Sequence, residues 1–212
     1  MVRCTTRLQA SSKVPGSNWW GDFRSRLRST TFDPVLVFNA LRQDSGHDLS
    51  VYDSQPPEKL LCIDIRLQNL VYVSCGSVEY TYSISTSKNG KGCRQNTGCT
   101  PIGWHIISEK IGSDATLGTI FKGRRAAGHT DDLRSDIADD LITSRILWLT
   151  GLQPGFNRGG QVDSKERYIY IHGTAQEHLL GKPVSEGCIR MANRDVLELF
   201  EVVDTNTLVF VG

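Results

Sequence analysis

Two short stretches decide the fold of this 212-residue sequence: RYIYIHGT at residues 167–174 and VSEGCIRM at residues 184–191. The first is rich in β-branched and aromatic residues, which predicts a strand that delivers His172 and Gly173 at its end. In the second, Gly187 before Cys188 predicts a tight corner with an exposed thiol, because glycine lets another group approach the backbone closely. We therefore expect a thiol and an imidazole to meet beside neighbouring strands.

The chain outside these stretches also has a β pattern. Residues 61–67 alternate apolar and more polar side chains, which predicts a half-buried strand, and Gln68-Asn69 predicts a hairpin turn after it. Further strands are predicted at 70–73, 78–85, 104–107, 167–171 and 208–211. Apolar spacing of three to four residues predicts a helix within Asp131–Leu152, and Asn193 is expected to N-cap another. The predicted fold is mainly β with inserted helices, as a β-sandwich or barrel.

Composition excludes several classes of function. Lys and Arg number 24 against 23 Asp and Glu, for a net charge of +1, which argues against a partner such as nucleic acid. No run approaches the ~18 apolar residues of a membrane span. Residues 1–16 lack the apolar segment of a secretory signal, so no export signal is visible. The cysteines form no paired CxxC doublets, and we expect neither a metal nor an organic cofactor.

Two features are left open by the residues alone. Residues 1–58 differ in composition from the rest and predict an N-terminal extension, either packed on the main domain or acting as a separate interaction segment or lid. Cys93 and Cys99 lie in one glycine-rich loop and are close enough in sequence to form a disulfide, although geometry decides whether they do.

The chemistry predicted for the two stretches is nucleophilic catalysis by a thiol. His172 would take the proton of Cys188, and the resulting thiolate would attack a carbonyl. The backbone N–H groups of Gly187 and Cys188 would hold the oxyanion, where one such donor lowers the barrier by about 3 kcal/mol. The Gly173 carbonyl is the nearest group to orient the imidazole. His178 is a rival base, but a strand end positions a side chain more firmly than a loop does.

The combination of His172-Gly173-Thr174 with Ser185-Glu186-Gly187-Cys188-Ile189-Arg190-Met191 resembles the signature of the L,D-transpeptidases, the YkuD-type catalytic domain. The strands at 61–67 and 70–73, residues 83–86 and Thr100-Pro101-Ile102-Gly103 follow the order of that family. The resemblance covers residues 59–212. It implies that Cys188 is the nucleophile, that His172 is the base oriented by Gly173, and that Glu186, Gly187 and Cys188 line the oxyanion hole. The candidate substrate-binding residues are Arg190, Ser185, Tyr170 and Arg145.

This family remodels bacterial peptidoglycan, so the resemblance implies stem peptides as donor and acceptor. The thiolate would form a thioester with the donor, and an acceptor amine would resolve it into a crosslink of the cell wall. Carbapenem-type β-lactams are implied as covalent inhibitors, and the periplasm or cell wall as the location. Alternatives are an L,D-carboxypeptidase or a protein-detaching amidase using the same thioester, and, in another class, a non-catalytic wall-binding module.

The sequence departs from the family pattern in two places. Glu186 stands where the family commonly has histidine, and a carboxylate near the thiol should oppose thiolate formation. Residues 108–161 read as a long insertion that could cap the site. The arginines of this insertion that could meet an anionic substrate are Arg124, Arg125, Arg145 and Arg158.

Overall fold

The structure is a computed structural model that describes residues 57–133 and 140–212. Nearly all of the predicted N-terminal extension, residues 1–58, lies outside the described residues, as do residues 134–139 in the N-terminal half of the helix predicted at Asp131–Leu152. The regular elements of the described ranges are the strands β1 (Lys59–Asp64), β2 (Asn69–Ser74), β3 (Ser77–Ser85), β4 (Gly103–Ile111), β5 (Thr119–Lys122), β6 (Arg125–His129), β7 (Ile142–Gly151), β8 (Tyr170–Gly173), β9 (Ile189–Met191) and β10 (Leu208–Val211), and the helix α1 (Asn193–Val202).

Eight of these strands close into a barrel. Their order is β4-β10-β1-β2-β3-β9-β8-β7, and β7 pairs back onto β4 to complete the ring. The pairs β1–β10 and β8–β9 are parallel, and the other pairs in the ring are antiparallel. The hairpin β5–β6 lies outside the ring and joins it where β5 pairs with the start of β7. Closure satisfies the backbone groups of strands that an open sheet would leave at its edges. The expected mainly-β, barrel-like fold is confirmed.

One hydrophobic core joins the barrel strands to α1. Val196, Leu199 and Phe200 recur at helical spacing and bury one face of α1 against the sheet. Strand β1 was expected to be half-buried, but Leu60 and Cys62 are each 2% exposed and are nearly as well buried as Leu61 and Ile63, which project to the other face. The prediction of a one-sided strand is therefore wrong, because both faces of β1 are covered.

The helix predicted within Asp131–Leu152 is also wrong over its C-terminal half, where the chain forms β7. Residues 146–149 are all buried, and such a continuous apolar run is typical of a strand covered on both faces. Since β7 pairs with both β4 and β8, this part of the predicted cap insertion is barrel wall. The hairpin β5–β6 is the paired part of 108–161 that stands outside the ring.

Most other predicted elements are present, with shifted boundaries. The turn predicted at Gln68-Asn69 joins β1 and β2 in an antiparallel hairpin. The strand predicted at 167–171 begins only at Tyr170, because Tyr168 has a left-handed backbone with φ of 56°. Cys93 and Cys99 are both free thiols, so the loop that contains them is not bridged.

Candidate active site

Cys188 and His172 lie on one face of the sheet formed by β8 and β9. The two strands run parallel, with His172 paired to Arg190 and Ile171 paired to Ile189. Cys188 precedes Arg190 by two residues, so its side chain projects to the same face as those of Arg190 and His172. Ile171 and Ile189 project to the opposite face, into the hydrophobic core. The imidazole on β8 and the thiol on the residue just before β9 are therefore diagonal neighbours.

The thiol of Cys188 is free and half-buried, and backbone groups of β8 and the residues before it surround it. Its Sγ accepts a hydrogen bond from the N–H of Tyr170 and donates one to the carbonyl of Tyr168, each at 3.4 Å. Burial raises the pKa of the Cys188 thiol to about 12, although the Tyr170 N–H acts in the opposite direction. In the resting protein the sulfur is therefore protonated, and a base must remove its proton.

His172 is suited to be that base. It is 1% exposed, and its Nδ1 lies 2.7 Å from the carbonyl oxygen of Gly173. Because a carbonyl only accepts, we assign the proton to Nδ1, which leaves Nε2 with a free lone pair. Burial lowers the pKa of the His172 imidazole, while the Gly173 carbonyl opposes this shift. The imidazole is therefore neutral near pH 7 and able to accept a proton.

The backbone that holds His172 is fixed by close packing at Gly173. A Cβ at Gly173 would lie 2.5 Å from Oδ1 of Asn193 and 2.7 Å from the carbonyl of Thr143, so only glycine fits. The expectation that Asn193 would N-cap a helix is wrong: it is the first residue of α1, and the N-cap is Ala192. The Asn193 side chain instead donates to the carbonyl of Thr174 at 2.8 Å and accepts from the Thr143 hydroxyl at 2.6 Å. It ties α1 to β7 and to the residue that follows Gly173.

The loop before the nucleophile is braced by Ser185. The Ser185 hydroxyl donates to the carbonyl of Cys188 at 2.6 Å and accepts from the N–H of Gly187 at 3.3 Å. Gly187 has φ of 130°, a conformation that favours glycine. The Gly187 N–H, a predicted oxyanion donor, must leave this long contact to serve a substrate. Glu186 is exposed, and its carboxylate pairs with Lys88 at 3.3 Å, so an ammonium group offsets its charge.

Arg190 is buried beside His172 and is already paired. Its Nη2 lies 2.5 Å from the Asp140 carboxylate, and the Arg190 side chain is only 4% exposed. Its Nη1 donates to the Gln176 side chain at 3.0 Å. The carboxylate that Arg190 was predicted to take from the donor peptide is thus supplied by Asp140 in this structure. Sequence reasoning missed Asp140, because no motif or spacing connects it with the two signature stretches.

Two other predicted substrate contacts have internal partners. Ser185 is fully buried, and its hydroxyl bonds within the loop as described above. Arg145 is 6% exposed and donates to the carbonyls of Ala115 and Ser144, each at 2.7 Å. These two side chains hold the local backbone and do not face an open site. Tyr170 is nearer to the chemistry, because its N–H contacts the Cys188 sulfur.

An aromatic patch beside the sulfur was also missed by sequence reasoning. Trp148 on β7 packs edge-on against Tyr170, with ring centroids 5.6 Å apart, and lies 5.8 Å from the ring of Tyr168. Cys188 packs against the same cluster. Tyr168 is 51% exposed and forms the open side of the patch. Tyr168 and Tyr170 alternate with apolar residues in the sequence. That alternation predicted a strand but gave no indication of an aromatic patch beside the sulfur.

The remaining candidates add little to the site. His178, the rival base, is exposed on a short 3-10 turn at Glu177–Leu179, outside the strand that adjoins the sulfur. Within residues 57–133 and 140–212, no three side chains of His, Cys, Asp or Glu cluster as metal ligands would. The helix in those ranges is not long and apolar enough to cross a membrane.

These features define a mainly-β barrel protein with a thiol and a neutral imidazole on one face. The model of the L,D-transpeptidase catalytic domain, YkuD, matches residues 58–211, and the chain belongs to this family.

Named relatives agree with this assignment. YkuD of Bacillus licheniformis is 56% identical over 46 residues, which are 22% of this chain and 27% of that protein. YqjB of Bacillus subtilis is 24% identical over 156 residues, covering 74% of this chain and 72% of that protein. Both carry a provisional L,D-transpeptidase name. The match to YkuD thus spans about a quarter of its length.

Solved structures of L,D-transpeptidases are also similar. One is an L,D-transpeptidase from Mycobacterium smegmatis, with 16% identity and a TM-score of 0.45, covering 74% of this chain and 60% of that one. Another is L,D-transpeptidase 3 from Mycobacterium tuberculosis in complex with a faropenem-derived adduct, with 16% identity and a TM-score of 0.47, covering 74% and 61%.

Proposed function

We propose that this protein is a peptidoglycan L,D-transpeptidase in which Cys188 forms a thioester with a stem-peptide donor. The observation that carries the proposal is the shared face of Cys188 and His172, with Nδ1 of His172 bound to the Gly173 carbonyl. That bond leaves Nε2 free on the face that carries the sulfur. The family of the catalytic domain supplies the substrate class, the peptide stems of peptidoglycan.

The first step forms the acyl-enzyme. Nε2 of His172 takes the Cys188 proton as the sulfur attacks the carbonyl of the diamino acid in the donor stem. The C–N bond to the terminal D-residue then breaks, and the imidazolium returns the proton to the departing amine. Since the resting thiol has a pKa of about 12, we expect this proton transfer to accompany attack rather than precede it.

The second step resolves the thioester. An amine of an acceptor stem attacks the thioester carbonyl, His172 takes the proton lost by that amine, and the C–S bond breaks to regenerate the thiol. The new amide is the crosslink. Water in place of the amine would release the shortened stem, which is carboxypeptidase activity. We propose the periplasm or cell wall as the location, because the stem peptides are found there.

Covalent labelling tests the proposal. A carbapenem carries a strained amide that a reactive thiol opens, and we expect the intact mass of the wild type to rise by one carbapenem equivalent. Cys188→Ala should not be labelled, whereas Cys99→Ala, a matched change at a neighbouring free thiol, should be labelled as the wild type is. A wild type that remains unlabelled would favour the alternative hypothesis that the protein is a non-catalytic wall-binding module.

Isolated muropeptides distinguish the enzymatic outcomes. Mass spectrometry of a tetrapeptide donor mixed with an acceptor should show a crosslinked dimer with the wild type and none with Cys188→Ala. His172→Gln should be slowed by about 10²-fold or more, since it lacks the base, and His178→Gln should be close to the wild type. Crosslinked dimer formed by Cys188→Ala would overturn the proposal. Shortened monomer without dimer would assign a hydrolase that uses the same thioester.

A further inference from the structure

Of the four arginines predicted to meet an anionic substrate, Arg124 is the one that reaches the aromatic patch beside the sulfur. It occupies the second position of the two-residue turn between β5 and β6, where Gly123 has φ of 56° and Arg124 has φ of 65°. Two positive φ angles are typical of the hairpin turn that matches strand twist, and arginine rarely occupies such a position. Arg125 and Arg158 are exposed, and Arg145 is internal.

The guanidinium of Arg124 lies over the rings of residues that also surround Cys188. It is 4.6 Å from the ring centre of Trp148 and 5.3 Å from that of Tyr168. Its Nη1 donates to the hydroxyl of Tyr170 at 3.3 Å. Tyr168 and Tyr170 therefore contact both groups, the cation through their side chains and the sulfur through their backbone. Stacking fixes the cation in place while its outer edge stays accessible.

No carboxylate of the described residues lies within 4 Å of this guanidinium. Glu109, whose charge acts on Arg124, pairs with Lys165 at 2.9 Å. Of the five N–H donors of a guanidinium, the one to Tyr170 is the hydrogen bond found within the described ranges. Arg190 differs, because Asp140 already fills its fork. Arg167, which also lies near the sulfur, already donates to the carbonyls of Gly92, Cys93 and Cys99. Arg124 can therefore take an external anion without first giving up several internal partners.

The chemistry of the proposed reaction specifies that anion. The donor stem ends in a D-residue with a free carboxylate, and three covalent bonds separate the attacked carbonyl carbon from the carboxylate carbon. The carboxylate carbon therefore lies within roughly 3.8 Å of the acylated carbonyl carbon, and a cation that binds this terminal group must lie beside that position. An arginine fork suits a carboxylate because two parallel N–H donors meet its two oxygens.

We propose that Arg124 binds the terminal carboxylate of the leaving D-residue and so selects donor stems with a free C-terminus. This inference rests on the proposed function and identifies the group that restricts the reaction to the last peptide bond of the donor stem. Arg124 acts as a specificity-determining residue, and proton transfer stays with His172.

The test compares a tetrapeptide donor whose C-terminus is a free acid with the same peptide as its amide. The measured quantity is kcat/KM for release of the terminal residue, followed by mass spectrometry. The kcat/KM of the wild type should be about 10- to 100-fold higher for the acid than for the amide, because that is the effect expected from a hydrogen bond to a charged group. Arg124→Met, which keeps apolar contact with the rings, should reduce this preference to about threefold or less. The reduction should come from a lower kcat/KM for the acid, with that for the amide nearly unchanged. Arg124→Lys should restore part of it, since the charge remains but the fork is lost.

The matched control is Arg125→Met, which removes an exposed cation from the same hairpin and should retain the wild-type preference. An unchanged acid preference in Arg124→Met would overturn the inference and place the carboxylate elsewhere. Equal losses on acid and amide would also overturn it, because they indicate a structural role for the side chain. Failure of the wild type on both peptides and with the carbapenem would instead overturn the proposed function, which separates the two failures.

Discussion

The backbone N–H of Tyr170 donates to Sγ of Cys188 at 3.4 Å, so the strand that delivers the imidazole also binds the sulfur. His172 lies two residues further along the same strand and projects to the same face. One short strand, β8, thus sets the position of both reacting groups. A hydrogen bond to sulfur favours the thiolate, but burial opposes it more strongly and raises the pKa of the Cys188 thiol to about 12.

This balance predicts the pH dependence of thiol alkylation. With a pKa of about 12, the thiolate fraction of Cys188 near pH 8 is about 10⁻⁴ and rises tenfold with each pH unit. We expect the rate of iodoacetamide labelling at Cys188, followed by peptide mass spectrometry, to climb between pH 7 and 10 without a plateau. A plateau below pH 9 would mean that the sulfur is ionised in the resting protein.

The same pKa predicts a loss of stability at alkaline pH. The pKa is raised on folding, from 9.0 to about 12, so the folded state holds the proton more tightly than the unfolded chain. The stabilisation is complete below pH 9 and is lost as the pH rises toward 12. Cys188→Ala should therefore lose less stability over that interval than the wild type in urea unfolding. Parallel losses in the two proteins would contradict the shift. Cys62, whose thiol pKa is also raised to about 12 by burial, contributes equally to both.

The Asp140–Arg190 ion pair predicts that a small carboxylate restores stability to a variant that lacks the Asp140 side chain. Asp140→Ala leaves the buried guanidinium of Arg190 without its anion, which should cost about 1–3 kcal/mol of unfolding free energy. Formate can enter the vacated space, so it should raise the Tm of Asp140→Ala and leave that of the wild type nearly unchanged. Asp132→Ala, an exposed acid in the same region, is the control and should match the wild type. An equal rise in Tm with formate in all three proteins would contradict the prediction, because it would show that formate does not act at the position vacated by the Asp140 carboxylate.

The parts of the fold that sequence predicted are those in which local pattern and tertiary context agree. The hairpin β1–β2 has alternation with a turn signal, and α1 has apolar residues on one helical face, so both could be recognised. Strand β7 could not, because an apolar run buried on both faces carries no period-two signal. Strand β7 forms because it pairs with β4 and β8, which are distant from it in the sequence, and local pattern does not reveal such pairing.

The site divides in the same way. Cys188, His172 and Gly173 are close in sequence and belong to one recognisable pattern, so their proximity was predictable. Asp140 and Arg124 reach the site from other strands and loops, and only the barrel brings them there. A long side chain such as arginine also has many directions open to it. The sequence therefore could not distinguish Arg145 from Arg124. In the structure Arg145 is buried, whereas Arg124 lies over the aromatic patch beside the sulfur.

Gly187 provides a test of the nucleophile loop. At Gly187 φ is 130°, a conformation that residues with a Cβ rarely adopt, and an added Cβ would lie 3.4 Å from the carbonyl oxygen of Cys99, which is an ordinary van der Waals contact. Gly187→Ala should cost about 1–3 kcal/mol of unfolding free energy and slow carbapenem labelling, because the strain falls on the residue before the sulfur. Gly159→Ala is the control: φ there is 83°, but no atom lies within 4 Å of the added Cβ. Its positive φ should also cost stability, but Gly159→Ala should label normally, because Gly159 lies outside the nucleophile loop. Equal slowing of carbapenem labelling in the two variants would remove any special role for the loop.

Asn193→Asp distinguishes a cap from a tertiary brace at the start of α1. Asp is as good an N-cap as Asn, and a negative charge near a helix N-terminus is favourable, so a capping role predicts no loss. In the structure the Asn193 amide donates to the carbonyl of Thr174 at 2.8 Å and to Glu177 at 2.7 Å. A carboxylate cannot donate to either and repels Glu177, so we expect a loss of about 1–3 kcal/mol in urea unfolding. Arg194→Glu, exposed and one residue further on, should instead be neutral or slightly stabilising through the helix dipole. A gain in both variants would mean that Asn193 acts only on its own helix, and that Gly173 and His172 are held in place without it.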